Sequence, residues 1–194
     1  MQKTLQNLAK AFVWESQARN RYTMYASVAR KEWYIQIADI FEKTALQEAE
    51  HASRFFKMIQ QVEEKSWTKI WEMIIETWVP IMRWTTLENL WYAVAGELHE
   101  FANLYPEFAK IAQEEWLWEI SARINNIAIA EKHHAERYGK LKEQLEKKTI
   151  YAKEEDIFWI CDKCWYEYEW KNPPTQCPSC GHDHNYFQVK CEVY

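Results

Sequence analysis

Glycine is nearly missing from this chain: 194 residues hold three, against 12 tryptophans. Average usage would put glycine near 7%, and the imbalance bears on whether the written sequence is the molecule. No stretch approaches 18 uncharged apolar residues, which argues against a membrane span. The first ten residues, Met1 to Lys10, carry no apolar run of signal-peptide type, so a cytoplasmic location is expected. There is no basic excess either. A net charge of −5 with interspersed signs argues against a nucleic-acid surface. Cysteine is absent from the first 160 residues, and all five lie between Cys161 and Cys191. That segregation marks a separate cysteine module, not a disulfide network spread through a secreted fold. What remains is ample: a hydrophobic content of 48% can fill a sizeable core, and the length fits one ordinary domain plus a small one.

Apolar Leu5, Leu8, Phe12, Met24, Tyr25 and Val28 recur at helical spacing and predict a helix over residues 3–31. A second helix is expected from Ile35 to Glu64. Lys65 to Thr86 contains Pro80 and reads as a crossover with a short helical piece. A third helix spans Leu87 to Ala112 with a kink near Pro106, and a fourth runs from Trp118 to Lys148. Beyond it, short aromatic stretches, Pro173-Pro174 and the cysteine pairs predict a small β-rich knuckle from about Ile157. The boundaries are 1–150 for a four-helix bundle and 156–194 for a four-cysteine domain.

All four helices place carboxylate on an inward face. Glu48-x-x-His51 and Glu131-x-x-His134 are spaced so that both groups of each pair point at the same neighbour. Glu15 and the pair Glu97-x-x-Glu100 come from the other two helices. Buried acids are costly unless something positive neutralises them, and two irons would balance the charge best. A Glu from each of two helices plus Glu-x-x-His from each of the other two is a known signature of carboxylate-bridged di-iron or di-manganese bundles. One Glu-x-x-His alone means little on a surface helix. Here the pattern repeats in register, with Glu15 and Glu48 33 positions apart and Glu97 and Glu131 34 apart. Two short-looped hairpins joined by one long crossover describe a ferritin-like bundle. Glu63, Glu64 and Glu143 fit solvated ion pairs instead.

Glu15, Glu48, His51, Glu97, Glu131 and His134 already complete a six-ligand set. Glu100 is a seventh candidate, either an exchangeable ligand or an acid behind the ligands. Tyr22, two turns after Glu15, and Tyr105, five residues after Glu100, could present phenols to the cluster. His99 and His133 lie about 100° away around their helices and face outward. Cys161-x-x-Cys164 and Cys177-x-x-Cys180 form two knuckles separated by 12 residues, a tetrahedral thiolate site that accepts zinc or iron. Cys191 is left over as a buried residue, and His182 and His184 are expected on the knuckle surface.

With these residues assembled, the chain closely resembles the rubrerythrin family over essentially its whole length. The resemblance rests on Trp14-Glu15-Ser16-Gln17-Ala18-Arg19, Glu48-Ala49-Glu50-His51-Ala52, Gly96-Glu97-Leu98-His99-Glu100, Glu131-Lys132-His133-His134 and Cys177-Pro178-Ser179-Cys180-Gly181. It implies a non-haem di-iron peroxidase that reduces hydrogen peroxide to water in oxidative-stress defence. Electrons would pass through a rubredoxin-like four-cysteine iron from a donor such as rubredoxin or an NAD(P)H-dependent reductase. It also implies Glu100 and His51 as exchanging ligands, and a homodimer or larger assembly. Rival readings are a ferroxidase or iron-handling bundle, and a non-catalytic zinc-knuckle binding protein. The departures are tryptophans where such proteins usually carry glycine: Trp14, Trp33, Trp116 and Trp165. A bulky residue after a knuckle's second cysteine strains a backbone that suits glycine. Several of these are therefore expected to be glycine in the natural molecule, through a UGA codon translated with the wrong code.

Overall fold

The helical spacing of the first 31 residues becomes α1 (Gln2–Lys31), which buries Leu5, Leu8, Ala11, Ala18, Tyr22 and Tyr25 along one stripe. The structure is a computed structural model that describes residues 1–67 and 69–191. At the end of α1 the Tyr34 N–H donates to Ala29 O at 2.9 Å and the Trp33 N–H to Arg30 O at 3.2 Å. This paired closure reverses the chain in a few residues, so α2 (Ile35–Ser66) returns against α1. The second hairpin begins with a capping box, in which Thr85 and Glu88 each accept from the other's backbone N–H. Its first rod is α3 (Thr86–His99), a π-helical turn (Glu100–Leu104) and α4 (Tyr105–Glu114); its second is α5 (Trp118–Glu146).

One expectation is refined and one corrected. The disturbance expected near Pro106 takes the form of a π-helical turn at Glu100–Leu104, just before the proline. Pro106 has no N–H and crowds the carbonyl four residues earlier. The chain answers with a wider turn in which the Tyr105 N–H reaches back five residues to Glu100 O. The crossover, in turn, forms no helix among described residues 67 and 69–85. Trp71, Ile74, Trp78 and Ile81 stay exposed there. With their apolar side chains left unburied, a helix this short does not recover its nucleation cost.

Two apolar clusters fill the bundle. One gathers Leu5, Leu8, Phe55, Met58, Phe108 and Ile124; the other gathers Tyr25, Phe41, Leu90, Tyr138 and Leu141. The ring of buried carboxylates lies between them. No described helix is long and apolar enough to cross a membrane.

After α5, β1 (Ile157–Cys161) lies between β2 (Glu167–Trp170) and β3 (Phe187–Val189) in an antiparallel sheet, with Ile157 opposite Trp170 and Cys161 opposite Phe187. Trp159, Cys161, Cys177 and Phe187 form its core. Tyr151 bridges this unit to the α1–α2 turn, its hydroxyl donating to Asn185 O at 3.2 Å and lying 3.4 Å from Trp33 O. Cys191, expected to be buried, is exposed, because it lies past the end of β3.

Glu115 ties the bundle's ends together. It accepts from the N-terminal ammonium at 2.8 Å and from the Thr4 hydroxyl at 2.6 Å. Partial burial works against its charge, yet these donors hold it at about 2. A carboxyl depressed on folding stabilises the fold above its ordinary value of 4.5, and that contribution fades as pH falls toward about 2. Glu115→Gln is expected to lower the unfolding midpoint at neutral pH and to narrow its gap to the parent across that window. Thermal unfolding at a series of pH values checks this.

Candidate metal centre

Glu48 and His51 come from α2, Glu131 and His134 from α5, Glu15 from α1 and Glu97 from α3. Each Glu-x-x-His pair sits on one face, as the three-residue spacing requires. The two pairs face each other across the bundle, and their carboxylates cross. Glu131 puts one oxygen 2.8 Å from His51 Nδ1 and the other 2.9 Å from His134 Nδ1. Glu48 divides its oxygens in the same way, each 3.1 Å from one of the two imidazoles. The imidazole rings lie 5.9 Å apart and 30° from parallel.

Two overlapping donor groups result: Glu15, Glu48, His51 and Glu131, and Glu48, Glu97, Glu131 and His134. In each group the donor atoms lie within 4.8 Å of one another. Glu48 and Glu131 belong to both. The second oxygens of Glu15 and Glu97, both oxygens of Glu131, one of Glu48, and His134 Nδ1 are buried without hydrogen-bond partners. Three of the carboxylate oxygens lie 2.8 to 3.1 Å from an imidazole nitrogen without a hydrogen bond between them. Buried acceptors left this way are costly, and a pair of cations satisfies them.

The electrostatics agree. Burial, reinforced by the charges of Glu131 and Glu48, pushes Glu15 well up from its ordinary value. Burial and the charge of Glu48 raise Glu97 to about 8. Glu48 is also desolvated, yet His134 and His51 hold it at about 2. Burial disfavours charged imidazoles, but the surrounding carboxylates raise His51 to about 10 and His134 to about 12. The raised acids and imidazoles share one cause: without a metal, protons are the only positive charge available to these carboxylates.

Two phenols orient the outer carboxylates. Tyr22 donates to Glu97 and Tyr105 donates to Glu15, in each case to the oxygen opposite the unpartnered one. Glu100 is buried but outside both donor groups, and its carboxylate accepts the indole N–H of Trp14. Burial and the charge of Glu97 push Glu100 upward. His99 and His133 are exposed. Metal-bound carboxylates held by such outer hydrogen bonds typically lose about 10–100-fold in affinity when the partner is removed. Tyr105→Phe is expected to weaken iron binding by that order, read by metal titration.

Below the helices, Cys161, Cys164, Cys177 and Cys180 form a third donor group. The sulfur pairs Cys161–Cys180 and Cys164–Cys177 are 3.7 and 3.6 Å apart. Tetrahedral thiolates about 2.3 Å from one metal would stand about 3.8 Å apart. His182 is exposed, as expected, but its Nδ1 lies 3.3 Å from Cys180 Sγ.

The rubrerythrin family model matches residues 6–142. The chain belongs to the rubrerythrin family. It is 42% identical to rubrerythrin-1 of Clostridium acetobutylicum, over 99% of this chain and 96% of that protein. It is 41% identical to the rubrerythrin of Clostridium perfringens, again over 99% and 96%. A solved structure of fully reduced, all-ferrous nigerythrin superposes with a TM-score of 0.64 at 28% identity, over 96% of this chain and 86% of that one. The fold is therefore a ferritin-like four-helix bundle followed by a small rubredoxin-like module. Its cofactors are a di-iron centre in the bundle and one metal, iron or zinc, in the four-cysteine site.

Sequence reasoning overlooked Tyr138 and Arg21. Tyr138 is fully buried against Tyr22, ring centroids 5.4 Å apart. It lies seven residues after Glu131, the same two-turn offset that singled out Tyr22 after Glu15, so helical spacing carried the signal. Arg21 is buried beside Trp14, and only packing reveals it.

Proposed function

We propose that the chain is a non-haem di-iron peroxidase that reduces hydrogen peroxide to water, with electrons relayed through the four-cysteine iron, in defence against oxidative stress. The observation that supports this best is the crossed pair of Glu48 and Glu131, each offering one oxygen to either side. In this reading Glu15 and His51 would help hold one iron and Glu97 and His134 the other, with Glu48 and Glu131, which belong to both donor groups, shared between them. Glu100, buried outside both groups, would be the reserve carboxylate for His51. Residues 1–150 act as the oxidant-reducing unit and residues 156–194 as the relay.

Bound there, a pair of irons supplies the two electrons that peroxide needs. The protein's part is to place and shield. Tyr105 fixes the Glu15 carboxylate and Tyr22 that of Glu97, each keeping a proton on its phenol oxygen beside the site. Burial pushes both phenols well above their ordinary value, so those protons stay in place until a stronger acceptor forms nearby. The apolar clusters on either side keep bulk water away.

From Glu15, α1 runs 16 residues to Lys31, about 24 Å at 1.5 Å each, before the α1–α2 turn that contacts the knuckle. The knuckle that serves a given bundle therefore belongs to a neighbouring copy, in a homodimer or larger assembly. Reduced rubredoxin or an NAD(P)H-dependent reductase would feed it. Stopped-flow oxidation of the reduced, iron-loaded protein by each oxidant tests the reading: peroxide should react far faster than dioxygen. Preference for dioxygen with iron uptake would instead favour a ferroxidase.

A further inference from the structure

Among the described residues, five that are not glycine have positive φ, and four of them are tryptophan: Trp33 at 66°, Trp67 at 54°, Trp116 at 64° and Trp165 at 63°. Bulky residues almost never adopt this region, which glycine enters freely. The positions are also those where glycine has a defined job. Trp33 and Trp67 follow the ends of α1 and α2. Trp116 closes α4, with the Leu117 N–H donating to Ala112 O at 2.8 Å and the Trp116 N–H to Gln113 O at 3.0 Å. A left-handed residue after a helix end is usually glycine.

Trp165 has an internal control. The Trp165 N–H donates to Cys161 O at 2.9 Å, and in the second knuckle the Gly181 N–H donates to Cys177 O at 2.9 Å. The two knuckles make the same turn; one uses glycine at φ 77° and the other tryptophan.

None of the four indoles compensates by burial, since they are 60%, 96%, 79% and 64% exposed. Trp159 behaves oppositely. It is fully buried in a strand, and its indole N–H donates to Trp170 O at 2.8 Å. Trp14 joins the four on separate grounds: its ring fills the helix interface against Glu100 and lines a cavity of about 890 Å³ beside Tyr22, Gly96 and His99.

We infer that Trp14, Trp33, Trp67, Trp116 and Trp165 are glycine in the protein its own cell makes, a UGA codon being decoded there as glycine, whereas Trp159 is a true tryptophan. Peptide mass mapping of protein purified from its source cells decides this. Glycine at these positions with tryptophan at 159 is the expected result; tryptophan at the four left-handed positions overturns it. A second measurement uses the full-length recombinant chain. Trp33→Gly, Trp116→Gly and Trp165→Gly should each raise the unfolding midpoint, and Trp159→Gly should lower it. Losses at the first three comparable to that of Trp159→Gly would also overturn the inference.

Discussion

Glu131→Gln should empty both iron positions of the bundle at once, whereas Glu15→Gln or Glu97→Gln should cost one. Each Glu131 oxygen faces a different imidazole, at 2.8 and 2.9 Å, and Glu131 stands in both donor groups. An amide keeps the shape but removes a charge and turns an N–H₂ toward one cation. Iron bound in the bundle is expected to fall from about two per chain to none, while the four-cysteine iron keeps its thiolate-to-iron absorption. Stability should fall with and without metal, and more with it. In the metal-free parent Glu131 is the partner of both raised imidazoles, so removing its charge leaves them under-compensated. Bound metal stabilises the parent by mass action, about 2.7 kcal/mol at a hundredfold excess over Kd, and the variant should lose that increment. Iron analysis and thermal unfolding read both effects. Full retention of two irons would show that Glu131 is not a bridge.

Cys161→Ser or Cys177→Ser should abolish turnover that depends on an external donor but spare the first oxidation of a pre-reduced bundle. Both cysteines are buried in the knuckle core with Trp159 and Phe187. A hydroxyl there is a poor replacement for thiolate, and small metal modules fold only with their ligand set complete. The helical site shares no donor with the knuckle, so chemistry in the bundle should survive. Single-turnover stopped-flow separates the two effects. Unchanged donor-dependent turnover would remove the relay from the scheme.

Much of this architecture could be read before any coordinates. Glu48-x-x-His51 and Glu131-x-x-His134 report their own geometry, because a three-residue step on a helix leaves no choice of face. The four cysteines declare a tetrahedral site by spacing alone. The offsets of 33 and 34 residues exposed the duplicated hairpin. Positions along one helix are rigidly related, so one-dimensional spacing suffices for them.

Relations between elements are not encoded that way. The crossing of Glu48 and Glu131, the pairing of Tyr22 with Glu97 and of Tyr105 with Glu15, and the place of Tyr138 all depend on how rods from distant parts of the chain rotate and slide against one another. The π-helical turn at Glu100–Leu104 has the same origin: Pro106 announced a disturbance, but the packing of the third rod decided where it fell. The sequence by itself determined which donors exist and which share a helix face. Only the tertiary structure decided which oxygen faces which nitrogen, because that is set by side-chain packing between helices and not by the period of any one of them.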